Sequence, residues 1–394
     1  VRLTPDARIT AERLAATAEL LDGIGVSRVA DITGLDVLGF PVFLAIRPEA
    51  EELGLCVHSG KGTTPAQAWM SAAMEAVEHH WAEGRHHADR IRRLPIRSML
   101  GRDDVLDLKS LTPYAGRKID LDRPYGWTEV RHLGDGHVRW APAEAVFHPL
   151  HGQEFYLYGT ETCGLAVGAT EEEAILHGLC EVVEHDARAL FHMARRAPMI
   201  EIGSLRAEAP AWRYIEAMRR AGLEVAVYDL TTDLGVCVIG CTIADPGSDN
   251  ALLINNGYCC HPDKRRALLG ALLEAAQSRL GFISGSRDDL DEKAERLLLW
   301  PTYADRRAHL DNVFDSPDGS VPWTAVADGG DLLGALAAAG YPDAYMTSLA
   351  PPGYPVHVVR VLVPHLQPLV RKGVRLGPRA LRRSLQVAAG KEQR

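Results

Sequence analysis

The sequence has little that would mark it as secreted, membrane-bound or nucleic-acid-coating. Among its 394 residues there are seven cysteines and no CxxC pair, and only Cys259 and Cys260 are adjacent. An odd count without disulfide or zinc-type spacing excludes a disulfide-scaffolded domain and points to a reducing compartment. No apolar run reaches the roughly 18 residues of a membrane-spanning helix, and Asp6, Arg8, Glu12 and Arg13 interrupt any early apolar stretch of signal-peptide type. A cytoplasmic protein that spans no membrane is therefore expected. Positive charge is also short: 43 Lys and Arg face 52 Asp and Glu, a net charge of −9. That balance does not suit a molecule that coats nucleic acid or an anionic membrane. Neither a GxxxxGK[ST] loop nor a GxGxxG turn after a strand occurs. No low-complexity segment and no Pro/Gly/Ser linker divides the chain.

What is present is a soluble, globular composition, 46% hydrophobic and 24% charged. Its 43.0 kDa suffice for two or three ordinary domains or one large α/β domain with additions. The chain also repeats itself. Gly62, Thr64, Ala68, Glu75, Glu78 and His79 recur as Gly168, Thr170, Ala174, Glu181, Glu184 and His185, each pair 106 residues apart and without a gap. A fainter third copy places Asp263, Ala267, Glu274 and Gln277 at an offset of 199 from Thr64, Ala68, Glu75 and Glu78. Each copy reads as a loop, an N-cap and a helix bearing an acidic or amide pair three residues apart.

The remaining text alternates strands and helices, so the class is α/β or α+β. A Pro-initiated amphipathic helix is predicted over 5–24, with strands over 28–33, 41–46 and 53–58 and the first repeated helix over 65–83. Segment 84–135 is polar and weakly periodic and reads as an elaboration. Short strands over 137–149 and 154–158 lead to the second repeated helix, 171–193. A helix over 212–221 and strands over 223–228 and 235–243 follow. After Leu252–Ile254 and a Gly257 turn comes the third repeated helix, 263–281. Residues 285–325 are irregular, 332–339 helical, and 356–363 an apolar strand stopped by Pro364. Three parts are expected: a helix and strands over 1–55, the main domain over 56–370, and a basic tail over 371–394.

At a spacing of three, Glu75 and Glu78 share a helix face, as do Glu181 and Glu184. They stand among Ala76, Val77, Val182 and Val183, which suggests burial, and buried carboxylates need cations. A hard oxygen set suits Mg²⁺ better than Zn²⁺. Surface glutamates pointing to water are the plain alternative, but helix propensity gives no reason to preserve six residues at one offset. The stretch Ser59-Gly60-Lys61-Gly62-Thr63-Thr64 empties onto a helix N-terminus, a setting that favours phosphate. It also fits an ordinary strand-to-helix turn. His79, His80, His86 and His87 fit no common zinc spacing and read as a solvated helix end. Cys163 reads as buried, Gly34 and Asp36 as turn residues. The basic C-terminal cluster (Arg371, Lys372, Arg375, Arg379, Arg382, Arg383) is either a solubilising tail or a holder for an acidic peptide.

These same residues carry a family resemblance. Ser71, Glu75, Glu78 and His79 resemble the SxxxExxER motif of YcaO-domain proteins. Glu181-Val182-Val183-Glu184-His185-Asp186-Ala187 is similar to their second ExxER-D-A motif. Glu274-Ala275-Ala276-Gln277-Ser278-Arg279 with Ser284-Gly285-Ser286-Arg287-Asp288-Asp289 is similar to the third, and Tyr354–Pro364 to the closing strand. Gly25–Asp36 resembles the variety often encoded beside TfuA-type partners. The resemblance covers about 20–370 and implies a YcaO-like fold: mixed sheets with three repeated motif helices around a nucleotide site.

It also implies ATP- and Mg²⁺-dependent phosphorylation of a peptide-backbone amide in a ribosomally made peptide or protein. External sulfide would give a thioamide, a side chain an azoline, a backbone amine an amidine. Glu75, Glu78, Glu181 and Glu184 would hold Mg²⁺ on the phosphates. Ser71, Gln277 and Arg287 would line the nucleotide, with Lys61, Glu274, His177 and the positions discussed next.

Three positions depart from the pattern. His79 and His185 replace arginines, turning fixed cations into pH-dependent donors. Gly270 replaces a third arginine, and Arg266, one turn earlier, is the expected substitute. The chain ends at Gly390–Arg394 without the PxPxP tail of many azoline formers, which favours a thioamide or an amidine. Thioamide formation with a TfuA-like or leader-binding partner is the expectation this favours. Azoline or amidine formation, or a catalytically reduced nucleotide-binding scaffold, are the alternatives. A homodimer is expected by analogy with large mixed sheets.

Overall fold

The computed structural model describes residues 9–116, 119–158, 161–194, 196–248, 250–285, 302–310, 316, 318–368 and 376–392. Three sheets carry the fold. The first is an antiparallel meander of β1 (Arg28–Asp31), β2 (Val42–Ile46) and β3 (Val57–Lys61). The second comprises β8 (Met199–Ile200), β9 (Glu224–Asp229), β10 (Val238–Ala244), β11 (Ile254–Cys260) and β12 (Ser320–Val321), in the order β11-β10-β9-β8-β12. The third runs β4-β5-β13-β14-β7, with β6 on β5. Its strands are β4 (Arg92–Pro95), β5 (Pro124–His132), β6 (Val138–Pro142), β7 (Leu165–Gly168), β13 (Tyr345–Ser348) and β14 (His357–Leu362).

Each repeated helix covers its own sheet. α2 (Pro65–Ala82) packs on β2 and β3, α3 (Glu171–Ala194) on β7 and β14, and α5 (Lys264–Ser284) on β10 and β11. α1 (Ala11–Gly23) lies against α2, and α4 (Ala209–Arg220) against α5. The expected caps form: Thr64 Oγ1 accepts from Gln67 N–H, Thr170 Oγ1 from Glu173 N–H, and Asp263 Oδ1 from Arg265 N–H. Fully buried Ala68, Ala72, Ala73, Ala76 and Val77 line the inner face of α2. Small side chains there bring backbone close to backbone, and the glutamates are carried inward with it.

Two loop expectations become strand. Ser59, Gly60 and Lys61 belong to β3, with Phe43 opposite Gly60 and Val42 opposite Lys61. A Cβ on Gly60 would stand 1.9 Å from Ala72 N, so α2 crosses directly over this strand. Gly257, expected at a turn, sits inside β11, where a Cβ would meet Ala271 O and Ala275 N at 2.2 Å. Both glycines mark helix-on-strand contact. The polar segment 84–135 holds β4 and all of β5, a central strand of the third sheet. Its burial does not alternate, because β5 is covered on both faces. No strand forms over 154–158.

The C-terminal helix α6 (Pro378–Glu392) packs on α3. Arg379 reaches inward to buried Asp186 at 3.1 Å and to Asp233 at 2.6 Å. The main-chain N–H of Gln367 donates to the same Asp186 at 2.9 Å. At least one arginine of the basic cluster is therefore structural, while Arg371, Lys372 and Arg375 lie outside the described residues.

Candidate functional site

The three repeated helices place five carboxylates in one electrostatic neighbourhood. Burial pushes Glu78 well above the usual carboxylate range, and Glu181 and Glu75 push it further. Burial likewise raises Glu181, with Glu184 and Glu75 adding to it. Glu184 rises from 4.5 to about 7, through burial and then Glu274, against the opposing pull of Arg188 and Lys61. The acids thus form a continuous run from α2 across α3 to α5. Among the described residues, the cations named against it are Lys61, Arg188 and Arg360. Among the described residues these hard oxygen donors outnumber the cations beside them, a chemistry that fits Mg²⁺.

A cavity of about 310 Å³ opens beside these acids. Lys61, Ser71, Glu75, Glu274 and Gln277, all named from the sequence, line it. Lys61 Nζ pairs with Glu274 Oε2 at 3.1 Å. Burial works to lower the Lys61 ammonium, but Glu274, Cys259 and Glu184 outweigh it and raise its proton affinity. Because Lys61 extends from a paired strand, its charge has a fixed base rather than a loose loop. Gln277 Nε2 donates to Ser59 O at 2.8 Å and to Ser59 Oγ at 2.9 Å, tying α5 to β3.

The histidines separate. His79 is buried beside His58, their rings 4.9 Å apart, and does not line the cavity. Burial, then His58 and Arg47, hold it down at about 3, so it is neutral at pH 7. The expectation of a pH-dependent donor facing phosphate does not describe this side chain. His185 is half-buried, its Nδ1 3.0 Å from Pro368 O and its Nε2 3.7 Å from Glu181 Oε1. His177 is exposed and bonds Val167 O. Arg266 lies in the first turn of α5, near His261, and does not line the cavity. A side chain at Gly270 is blocked by Cys259 Sγ, 2.4 Å from where its Cβ would stand. Arg287 lies outside the described residues.

Several neighbours were not singled out from the sequence. Asn256 lines the cavity, together with Ser59 and Ser278 from the stretches already quoted. Arg360 is buried on β14, donates to Glu161 O at 2.7 Å, and lowers Glu78 and Glu181. An arginine in the middle of an apolar strand was its available signal. Arg188, one turn after Glu184, lies over the Tyr258 ring at 5.4 Å. Asp36, expected at a turn, is buried against Arg279 at 3.1 Å.

The profile described as "YcaO cyclodehydratase, ATP- and Mg²⁺-binding" matches residues 59–367. The chain belongs to the YcaO family. A relative from Methanothermobacter thermautotrophicus, described only as uncharacterized, is 36% identical over 92% of this chain and 95% of its own. A second, from Rhizobium leguminosarum bv. trifolii, is an uncharacterized protein in the tfuA 3′ region, 33% identical over 94% and 91%. Among solved structures, YcaO from Methanopyrus kandleri bound with AMPPCP and Mg²⁺ is 27% identical. It covers 93% of each chain at a TM-score of 0.71. The E. coli microcin synthetase McbBCD complex shares the fold, at 14% identity and a TM-score of 0.64 over 83% and 84%. ATP and Mg²⁺ are the cofactors of this YcaO protein, and the carboxylate run fits them.

Proposed function

We propose that this protein activates a backbone amide of a ribosomally made peptide or protein, using ATP and Mg²⁺, and that the product is a thioamide. The observation that carries the reading is the convergence of Glu75, Glu78, Glu181, Glu184 and Glu274 beside a cavity lined by Lys61, Ser71 and Gln277. Bound ATP with Mg²⁺ would supply the phosphoryl group that makes the amide oxygen a leaving group. Glu75, Glu78, Glu181 and Glu184 would hold the metal. Lys61, steadied by Glu274, would hold positive charge at the phosphates, and Ser71 and Gln277 would orient the nucleotide. Phosphoryl transfer depends on such positioning and charge neutralisation.

The relative in the tfuA 3′ region supports the thioamide and a TfuA-like partner. The microcin synthetase complex with pro-MccB17 bound supports a precursor peptide as substrate and an azoline as the second reading. A homodimer in the cytoplasm completes the proposal. All seven cysteines are free, and among the described residues no helix is long and apolar enough to cross a membrane.

Calorimetric titration with ATP, with and without Mg²⁺, tests the core of the reading. The parent chain is expected to bind only with Mg²⁺, and Glu75→Gln/Glu181→Gln to lose about a hundredfold or more in affinity. Equal binding by both would remove the glutamates from the nucleotide. Mass spectrometry of a peptide treated with ATP and sulfide then separates oxygen-to-sulfur exchange from loss of water.

A further inference from the structure

Glu75 also belongs to a donor set of different chemistry. His58 on β3 and His79 on α2 each offer a ring nitrogen, and Glu75 an oxygen, all within 4.8 Å of one another. His58 is fully buried, and neither ring nitrogen has a hydrogen-bond partner. The Leu55 backbone approaches its ring, yet stays outside hydrogen-bonding geometry. A buried imidazole left unpaired is costly, and the groups facing it are His79 and Glu75. The nearby Arg47 cation is offset by Glu83, 2.5 Å away and equally buried.

We infer that His58, His79 and Glu75 form a binding site for a Zn²⁺-class transition-metal ion beneath the nucleotide cavity. Two imidazoles and one carboxylate are borderline ligands that select Zn²⁺ or Co²⁺ over Mg²⁺. Bond lengths near 2.0–2.1 Å place ligand atoms about 3.3 Å apart, so binding draws the three together by side-chain rotation. Glu75 lines the cavity and gives the ion a path of entry. The Leu55 backbone would serve as the outer partner that fixes a ligating imidazole. The site shares Glu75 with the oxygen-only set, and its two imidazoles set it apart; binding there needs no nucleotide.

The test uses the full chain, stripped by a chelator and titrated with Co²⁺ and then Zn²⁺, without nucleotide. One equivalent of Co²⁺ is expected to give visible ligand-field bands of a low-symmetry site, displaced by Zn²⁺. X-ray absorption on the zinc-loaded parent should show imidazole scattering, a readout that needs no variant to fold. His58→Gln and His79→Gln should each weaken Zn²⁺ binding by at least about tenfold and remove the bands. Glu184→Gln should keep them. An all-oxygen shell on the parent, bands that survive both histidine variants, or no saturable binding would overturn the site.

Discussion

The first and second repeated helices share six residues at one offset and differ in what surrounds them. α2 turns His79 into an apolar interior with His58 and Arg47, and burial keeps it neutral. α3 holds His185 half-buried between Pro368 O and Glu181. α3 also carries Asp186, pinned by Arg379 from the C-terminal helix, where α2 has His80 at the matching place. The glutamates respond alike: burial and neighbouring carboxylates raise Glu78, Glu181 and Glu184. The repeat therefore keeps the glutamates at the shared centre, while the histidine that follows them meets different surroundings in each copy. The backs of the helices are free to diverge, because each back meets a different sheet.

That asymmetry can be broken from the α3 side first. Arg379→Ala strips Asp186 of its buried partner and should destabilise the protein by about 3–5 kcal/mol, read as a lower denaturation midpoint with an unchanged slope. A smaller effect comes from installing arginine at both matched histidines. His79→Arg places a charge beside Arg47 in a closed interior and should cost about 3 kcal/mol. His185→Arg keeps the Glu181 contact within reach and should change stability by less than about 1 kcal/mol. Equal losses at the two positions would mean that the helices are equivalent after all.

The subtlest difference is a slope. Glu184 is raised from 4.5 to about 7 in the folded, metal-free chain, so the native state binds the extra proton between those values. Its contribution is full below about 4.5 and is lost as pH rises through 7. His58 and His79 act oppositely: both fall from 6.5 to about 3, so their contribution is full above 6.5 and lost as pH falls through 3. The two trends oppose each other between 4.5 and 6.5. Subtracting the pH–stability curve of Glu184→Gln from that of the parent should isolate the first. A difference that grows as pH rises would contradict it.

Much of the site was legible because its information is local. Caps at Thr64, Thr170 and Asp263, the three-residue acid spacing and the helix lengths all follow from rules acting within one or two turns. The structure places the helices at 65–82, 171–194 and 264–284, close to the expected 65–83, 171–193 and 263–281. Strand text was harder to read. Ser59–Lys61 looked like a phosphate loop, and Gly257 like a turn, because their partners are β2 and the crossing helices, far away in the chain or on its other side. β5 and β13 carry no alternation that would reveal a strand covered on both faces.

The sequence by itself determined which helices bear the acids, and that those acids would want a hard cation, since carboxylates three residues apart share a face in any helix. Only the tertiary structure decided what balances them. Lys61 meets Glu274 from 213 residues away, Arg360 reaches Glu78 and Glu181 from the closing strand, and His79 is kept neutral first by burial and then by His58 on β3 and by Arg47. Charge and proton affinity depend on distance through space and on exclusion of water. Neither is written in the spacing of residues along a chain.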